Sequence, residues 1–208
     1  MNKMDEQIIV VPRAALFEDE RLAFQGTLQQ PERVATIEHN LAGHYELMRR
    51  GDAEEDPAYK QPIPYAVIRR GENYFAYRRL SGGAESRLHG KLSIGVGGHM
   101  NRVEASHFAD VLHMNLQREI SEELIINEAG AEMLFQTIGL VNDDEGEVGR
   151  VHVGLLVLID LPVTASVSVR EADKLSGRWM TIGELRRPDI YDRLESWSAL
   201  AVDALTAG

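Results

Sequence analysis

Arg118-Glu119-Ile120-Ser121-Glu122-Glu123 sits in the second half of a segment whose Leu112, Leu116, Ile120 and Leu124 recur every four residues, as on an amphipathic helix. On that helix Glu119, Glu122 and Glu123 stand at i, i+3 and i+4 and project from one side. Like charges at this spacing destabilise a helix by roughly 0.2–0.5 kcal/mol per pair. A cation at that face removes the conflict. Oxygen-only ligands in a chain without cysteine favour a hard divalent ion, Mg2+ or Mn2+. Read by itself the stretch fits a solvated acidic face equally well, so the decision rests on what precedes it.

That segment is Ile94-Gly95-Val96-Gly97-Gly98-His99-Met100-Asn101, following a strand-like region over 88–94. Paired glycines let a backbone turn tightly and come close to a ligand. Glycine loop, helix and Arg-Glu-x-x-Glu-Glu together resemble the Nudix box, Gly-x5-Glu-x7-Arg-Glu-U-x-Glu-Glu-x-Gly-U, with U aliphatic. Arg118 to Glu123 match its centre completely, and Ile126 fills the last aliphatic position. Ile125 replaces the final glycine, and the first glutamate falls on Asp110, a shorter acid. The box glycine would fall on Glu104. Gly98 serves only if the loop is longer, since Arg118 comes twenty positions after it and the pattern has fourteen, an insertion of six. Lys60-Gln61-Pro62-Ile63-Pro64-Tyr65 and Gly97-Gly98-His99 look like the bacterial MutT-like phosphoesterase branch of that superfamily.

Composition sets the frame. The chain has 208 residues, 44% hydrophobic and 26% charged, enough for one well-packed domain with an extension. A net charge of −11 argues against a nucleic-acid polymer or an anionic membrane as partner. There is no thiol for a disulfide, a thiolate zinc site or a nucleophile. Met1-Asn2-Lys3-Met4-Asp5-Glu6 lacks a signal-peptide core, and no apolar run approaches the ~20 residues that span a bilayer. A cytoplasmic location is expected.

Residues 7–11 read as a strand. Residues 31–50 read as one helix, with Pro31 in its first turn, Val34, Ile37, Leu41, Tyr45 and Met48 inward, and Gly51 ending it. An acidic loop over 51–57 follows. Residues 64–68 and 74–77 flank Arg69-Arg70-Gly71-Glu72-Asn73 as a hairpin, and Ser81-Gly82-Gly83-Ala84 reads as a loop. Ser106 is the expected N-cap of the box helix. Strands are expected over 135–141 and 151–159, around Asn142-Asp143-Asp144-Glu145-Gly146-Glu147, with shorter ones at 167–169 and 177–181. A closing helix runs from Asp189 or Asp192 to about Ala204, with Leu194, Trp197, Leu200 and Ala201 inward. Periodicity gives α/β or α+β; the resemblance implies an α/β/α sandwich around a mixed sheet. It covers residues 60–208, leaving 1–59 as an extension packed on that core.

The resemblance also implies an activity: metal-dependent hydrolysis of a phosphoanhydride bond in a small diphosphate, typically a nucleoside diphosphate derivative. Glu119 and Glu123 are then the principal ligands of Mg2+ or Mn2+. Glu122 shares the metal, the Gly98 carbonyl (or that of Gly97) is the backbone ligand, and Arg118 orients a carboxylate. Arg78, Arg79 and His99 are candidates for the substrate phosphates. Strand alternation sends Arg78 and Arg79 to opposite faces, so at most one serves. Candidates for the general base are Glu145 and Glu147, with Asp143 and Asp144, in the acidic loop, and Glu171 beyond it. His107, His113 and His152 show no metal spacing in sequence. Two other classes compete. A Nudix-fold isomerase needs a cysteine that this chain lacks, whereas a non-catalytic ligand-binding or interaction module has little use for three clustered carboxylates. The apolar residues of the extension call for burial on their own core or across a two-fold axis, and a homodimer is the assembly expected.

Overall fold

The hairpin that the sequence marks most sharply joins β4 (Tyr59–Arg70) to β5 (Asn73–Arg79), with Arg70 opposite Asn73 and Arg69 opposite Tyr74. Gly71, at φ 57°, supplies the left-handed position that a two-residue hairpin turn demands. The computed structural model describes residues 2–79, 91–127, 134–146, 148–173 and 175–207, and only the backbone of Arg79, Leu134 and Ala207. The loop read at 81–84 lies outside the described residues.

The order of elements is β1 (Gln7–Pro12), α1 (Arg13–Leu16), β2 (Gly26–Leu28), α2 (Pro31–His44), β3 (Glu46–Arg49), α3 (Arg50–Ala53), β4, β5, β6 (Leu92–Ser93), β7 (Gly95–Gly97), α4 (Phe108–Glu123), β8 (Leu124–Asn127), β9 (Leu134–Asn142), β10 (His152–Leu161), β11 (Ser166–Val169), β12 (Leu175–Thr181), α5 (Ile182–Leu185), α6 (Pro188–Tyr191) and α7 (Ser196–Ala207). The main sheet has the order β12-β5-β4-β10-β9-β2; β1 pairs with β3 and β4, β6 with β5, and β7 with β4. β8 and β11 form a separate antiparallel ribbon. This is an α+β fold with a central sheet, as expected. The chain divides into two compact units: Met1–Tyr65 with Gly97–Gln117 and Ile138–Leu156, and Ala66–Val96 with Arg118–Thr137 and Val157–Gly208.

In the first unit, α2 stops at His44 rather than at Arg50. Gly43 weakens its last turn, and residues 46–49 pair antiparallel with β1, Gln7 opposite Arg49 and Val10 opposite Glu46. A strand partner thus overrides the helical period. Val34, Ile37 and Leu41 are buried as read, but Tyr45 is exposed, and Met48 packs instead on Ile8, Val10 and Ala53. Gly51 lies inside α3, where an acidic loop was expected. Most apolar residues of the first 59 positions, though not Met4, Tyr45 or Leu47, are buried within this unit, where Leu16, Phe17, Ile37 and Leu41 share a cluster with Leu140, Val153 and Leu155. Their burial therefore gives no ground for a second copy of the chain.

Between α1 and β2, Glu18, Asp19 and Glu20 take φ of 47°, 51° and 72° in succession. Each costs roughly 1–2 kcal/mol for a residue with a Cβ. Arg13 holds Glu20 through two 2.8 Å bonds, and Arg21 pairs with Glu18.

Arg13 also grips Asp144, the centre of this unit's polar interior. Lys60, 0% exposed, donates to Asp144 Oδ1 at 2.6 Å and to the carbonyls of Gly149 and His152 at 2.9 and 3.2 Å. All three ammonium protons are used. Asn142 Nδ2 meets Asp144 Oδ2 at 3.0 Å. Burial pushes the Asp144 carboxyl up, but bonds from Arg13, Lys60 and Asn142 outweigh it and hold the group well below the usual carboxylate range. Burial holds the Lys60 ammonium below its ordinary value, against the pull of Asp144. We predict that Asp144→Ala, which leaves the lysine charge buried without its counter-ion, lowers stability by about 3–5 kcal/mol. Lys60→Met, which removes the charge and keeps the stem, costs less. Urea midpoints decide, and equal losses would contradict this assignment. Because the folded carboxyl is held low, its contribution is complete above ~pH 4 and lost as pH falls below that; Asp144→Asn should flatten that acid limb.

Candidate active site

The box residues lie in the second unit, on the last turns of α4. Arg118 Nη2 reaches Glu119 Oε1 at 2.7 Å and its Nη1 reaches Glu122 Oε1 at 3.1 Å. One planar guanidinium thus separates two carboxylates that would otherwise repel. Glu119 is 9% exposed, while the Glu122 side chain is 56% exposed and turned to solvent. Glu123 is held from another direction: the Tyr77 hydroxyl lies 3.1 Å from its Oε2 and 2.9 Å from the Gly95 carbonyl. Ser93 Oγ also reaches the Gly95 carbonyl, at 3.1 Å, which leaves the phenol proton for the charged acceptor.

The C-terminal end of α4 is finished by Arg170. Its backbone N–H donates to the Glu123 carbonyl and its Nε to the Ser121 carbonyl, both at 2.8 Å. A cation there suits the negative end of the helix dipole. The chain then passes straight into β8, where Ile125 faces Ser168 of β11. An extended residue has no need of a glycine's freedom, which accounts for isoleucine at the last box glycine. The helix starts at Phe108, with the His107 carbonyl accepting its first backbone bonds, so Ser106 is one residue outside the cap position. Asp110 is exposed in the first turn. In the buried row, Leu116, Ile120 and Leu124 are as read and Leu112 is half-buried.

Gly97 ends β7 and Gly98 follows it, both half-buried and both in the first unit. A Cβ on Gly97 would stand 2.3 Å from the Pro64 carbonyl oxygen, so close backbone packing alone requires glycine there. Of the arginines in and beside the β4–β5 hairpin, Arg69 is bound to Asp160 at 2.5 and 2.6 Å. Arg70 donates to the Ala165 carbonyl and stacks 4.1 Å over Trp179. Arg78 is exposed on the face of β5 opposite Tyr77, and so opposite Glu123. It lines a cavity of about 270 Å³ with Leu92, Ser176, Arg178, Ile190 and Arg193. Alternation thus turns Arg78 away from the box, and the Arg79 side chain lies outside the described atoms.

Of the general-base candidates, Asp144 is withdrawn into the Lys60 network and Asp143 accepts from Gln25 Nε2 at 2.8 Å. Glu145 and Glu171 are exposed, and Glu147 lies outside the described residues. His99, a candidate for the substrate phosphates, is engaged by protein groups. Its Nε2 lies 2.7 Å from Gln61 Oε1, 3.2 Å from His152 Nε2 and 3.6 Å from Glu54 Oε1. No spacing rule joins residues 54, 99 and 152, so His152 carried no metal signal in sequence. Burial pushes the His152 imidazole down to about 4, and the hydrogen bond from His99 leads in drawing the Glu54 carboxyl down to about 2.

We predict that Tyr77→Phe keeps the fold and lowers stability by about 1 kcal/mol, the usual worth of one such bond. Freed of its anchor, Glu123 should hold Mn2+ several-fold more weakly in a direct titration. Unchanged Mn2+ affinity would show that the hydroxyl does not position the carboxylate.

No family model matches the chain. Protein YmaB of Bacillus subtilis (strain 168) is 52% identical to it over 206 residues, spanning 99% of this chain and 100% of that protein. Among solved structures, Tm1382, assigned to the Nudix hydrolases, superposes with a TM-score of 0.77 at 27% identity, over 97% of this chain and 99% of its own. A bifunctional NMN adenylyltransferase/ADP ribose pyrophosphatase from Francisella tularensis, complexed with AMP and a Mn ion, has a TM-score of 0.50 at 16% identity; the match covers 71% of this chain and 41% of that one, and it bears on fold alone. The match to Tm1382 takes in the extension as well as the box, and the 52% identity with YmaB spans 99% of this chain: the chain belongs to the family of YmaB, within the Nudix hydrolase superfamily.

Proposed function

We propose that this protein is a hydrolase of phosphoanhydride bonds in a nucleoside diphosphate-linked or related small molecule, dependent on Mg2+ or Mn2+. The observation that carries the reading is the treatment of the three carboxylates: Arg118 holds Glu119 and Glu122 while Tyr77 holds Glu123, so oxygen ligands are oriented at the end of one helix. This all-oxygen set fits a hard divalent ion, with Glu119, Glu122 and Glu123 as its holders. When bound, such an ion neutralises phosphate oxygens and lowers the pKa of a coordinated water. Arg118 fixes two carboxylates in place before substrate arrives, and Tyr77 limits the rotamers of the third. Glu145 and Glu171, both exposed, remain the candidates to accept the proton of the attacking water, with Glu147 close to the first of them in sequence. Arg79 is proposed as a phosphate donor in preference to Arg78, which faces away from the box.

Residues 60–208 are proposed as the Nudix domain and 1–59 as its extension. No helix among the described residues is long and apolar enough to cross a membrane, and a small-molecule substrate in the cytoplasm suits the acidic chain. A homodimer would use surface other than the buried extension core; Tyr45 and Leu47, 40% and 39% exposed, offer apolar contact there.

Glu123→Gln keeps the side-chain shape and deletes the anion. Turnover should fall on the order of 100-fold or more, as several kcal/mol of charge stabilisation are lost. Melting without metal should hold or rise, and metal-induced stabilisation should shrink. Phosphate release from nucleoside diphosphate derivatives, dinucleoside polyphosphates and sugar nucleotides measures the first, and thermal shifts the second. Undiminished turnover removes the box from the mechanism. Wild-type protein inert across the panel, while still binding some of its members, would favour a ligand-binding module.

A further inference from the structure

Within the first unit, Glu54, His99 and His152 bring one ligand atom each to within 4.8 Å of one another. They come from separate places: Glu54 follows α3, His99 follows the paired glycines, and His152 opens β10. His152 is 4% exposed, and the other two are half-buried. Its Nδ1 lies 2.6 Å from the Val148 carbonyl, which can only accept, so the ring proton sits on Nδ1. In the neutral ring Nε2 then carries a lone pair, and it is Nε2 that points at His99. Backbone hydrogen bonding of the far nitrogen is how metal-bound histidines are oriented.

Around His99 Nε2 the contacts outnumber the protons. Gln61 Oε1, His152 Nε2 and Glu54 Oε1 all face it, and a single N–H can satisfy one of them. Gln61 is 0% exposed, and its buried amide nitrogen has no hydrogen-bond partner among the described residues, while its oxygen is aimed into the cluster. A tetrahedral ion with bonds of ~2.0–2.1 Å sets its ligand atoms ~3.3–3.4 Å apart. The separations of 3.2 and 3.6 Å from His99 Nε2 bracket that value. Arg50 Nε lies 3.4 Å from the same Glu54 oxygen and competes for it.

We propose that Glu54, His99 and His152, with the oxygen of Gln61 beside them, form a second metal site for a divalent transition ion of the Zn2+ class. Two imidazoles and one carboxylate suit such an ion and are poorly matched to Mg2+. The site is separate in ligand chemistry from the box glutamates and does not depend on the hydrolase reading.

Chelator-stripped protein is titrated with Co2+ in excess Mg2+, and visible absorption and nitrogen coupling in the electron paramagnetic resonance spectrum are recorded. One Co2+ per chain with imidazole coupling is expected, displaced by Zn2+. The same signal should persist in a Glu119→Gln, Glu122→Gln, Glu123→Gln variant, and affinity should fall at least about 100-fold in His99→Gln and in Glu54→Gln. Glu54→Gln alters a half-buried surface position and decides the matter if a histidine variant fails to fold. Arg50→Met should tighten binding. Absence of a nitrogen-coupled ion, or a signal untouched by Glu54→Gln, overturns the site. Because the readout is a spectrum, inactivity toward every diphosphate would leave it standing, and loss of the spectrum would leave the hydrolase reading standing.

Discussion

A lysine ammonium with no access to water constrains the first unit more than any other group. Lys60 enters from the start of β4, and an ammonium there is tolerable only if each proton meets an oxygen. The connection from β9 to β10 must therefore fold around it, presenting the Asp144 carboxylate, the turn at Gly149 and the first residue of β10. The convergence is tight, since a Cβ at Gly149 would fall 2.0 Å from the Asp143 carbonyl oxygen. Arg13, from the start of α1, completes the charge balance. An acidic hairpin loop that looks like solvent-facing decoration in sequence is thereby a counter-ion for the interior, and His152 is set in place by the same network.

The box uses a related device nearer the surface. Repulsion among Glu119, Glu122 and Glu123 is the cost of concentrating anionic ligands on one helix. Arg118 offsets it for two of them without a second strand or loop, because it is the neighbour of one and one turn from the other. Tyr77 and Arg170 do the rest, the first at a side chain and the second at the exposed carbonyls of the helix end. The two devices differ in permanence. Lys60 and Asp144 are locked to each other, whereas Arg118 is one-third exposed and can yield its carboxylates to a stronger cation.

The sequence disclosed what local rules govern. The β4–β5 hairpin, the box helix and the strands that became β9 to β12 each carry their own period or turn signal. What it concealed depended on partners far away in the chain. The segment after His44 has helical spacing, yet pairing with β1 makes it a strand. Asp144 has the look of a free loop acid until Lys60, eighty-four positions earlier, is seen to claim it. Glu54, His99 and His152 share no motif; only folding brings them together. Arg78 was legible as one of two alternating residues, but that it turns away from the box needed Tyr77 to be seen against Glu123.

The three left-handed residues Glu18, Asp19 and Glu20 have a consequence for how the protein breathes. This run of strained backbone is pinned by Arg13, Arg21, Asn40 and its own turn hydrogen bonds, and opening it returns roughly 3–6 kcal/mol of conformational strain. Its amide protons should then exchange with solvent ahead of those in β1 or α2. When that segment opens, Arg13 loses Glu20 and keeps only Asp144, so local opening there concentrates its charge on the carboxylate beneath Lys60. A strained turn is thus wired through Arg13 to the ion pair of Lys60 and Asp144, and strain at the surface is coupled directly to the buried charge.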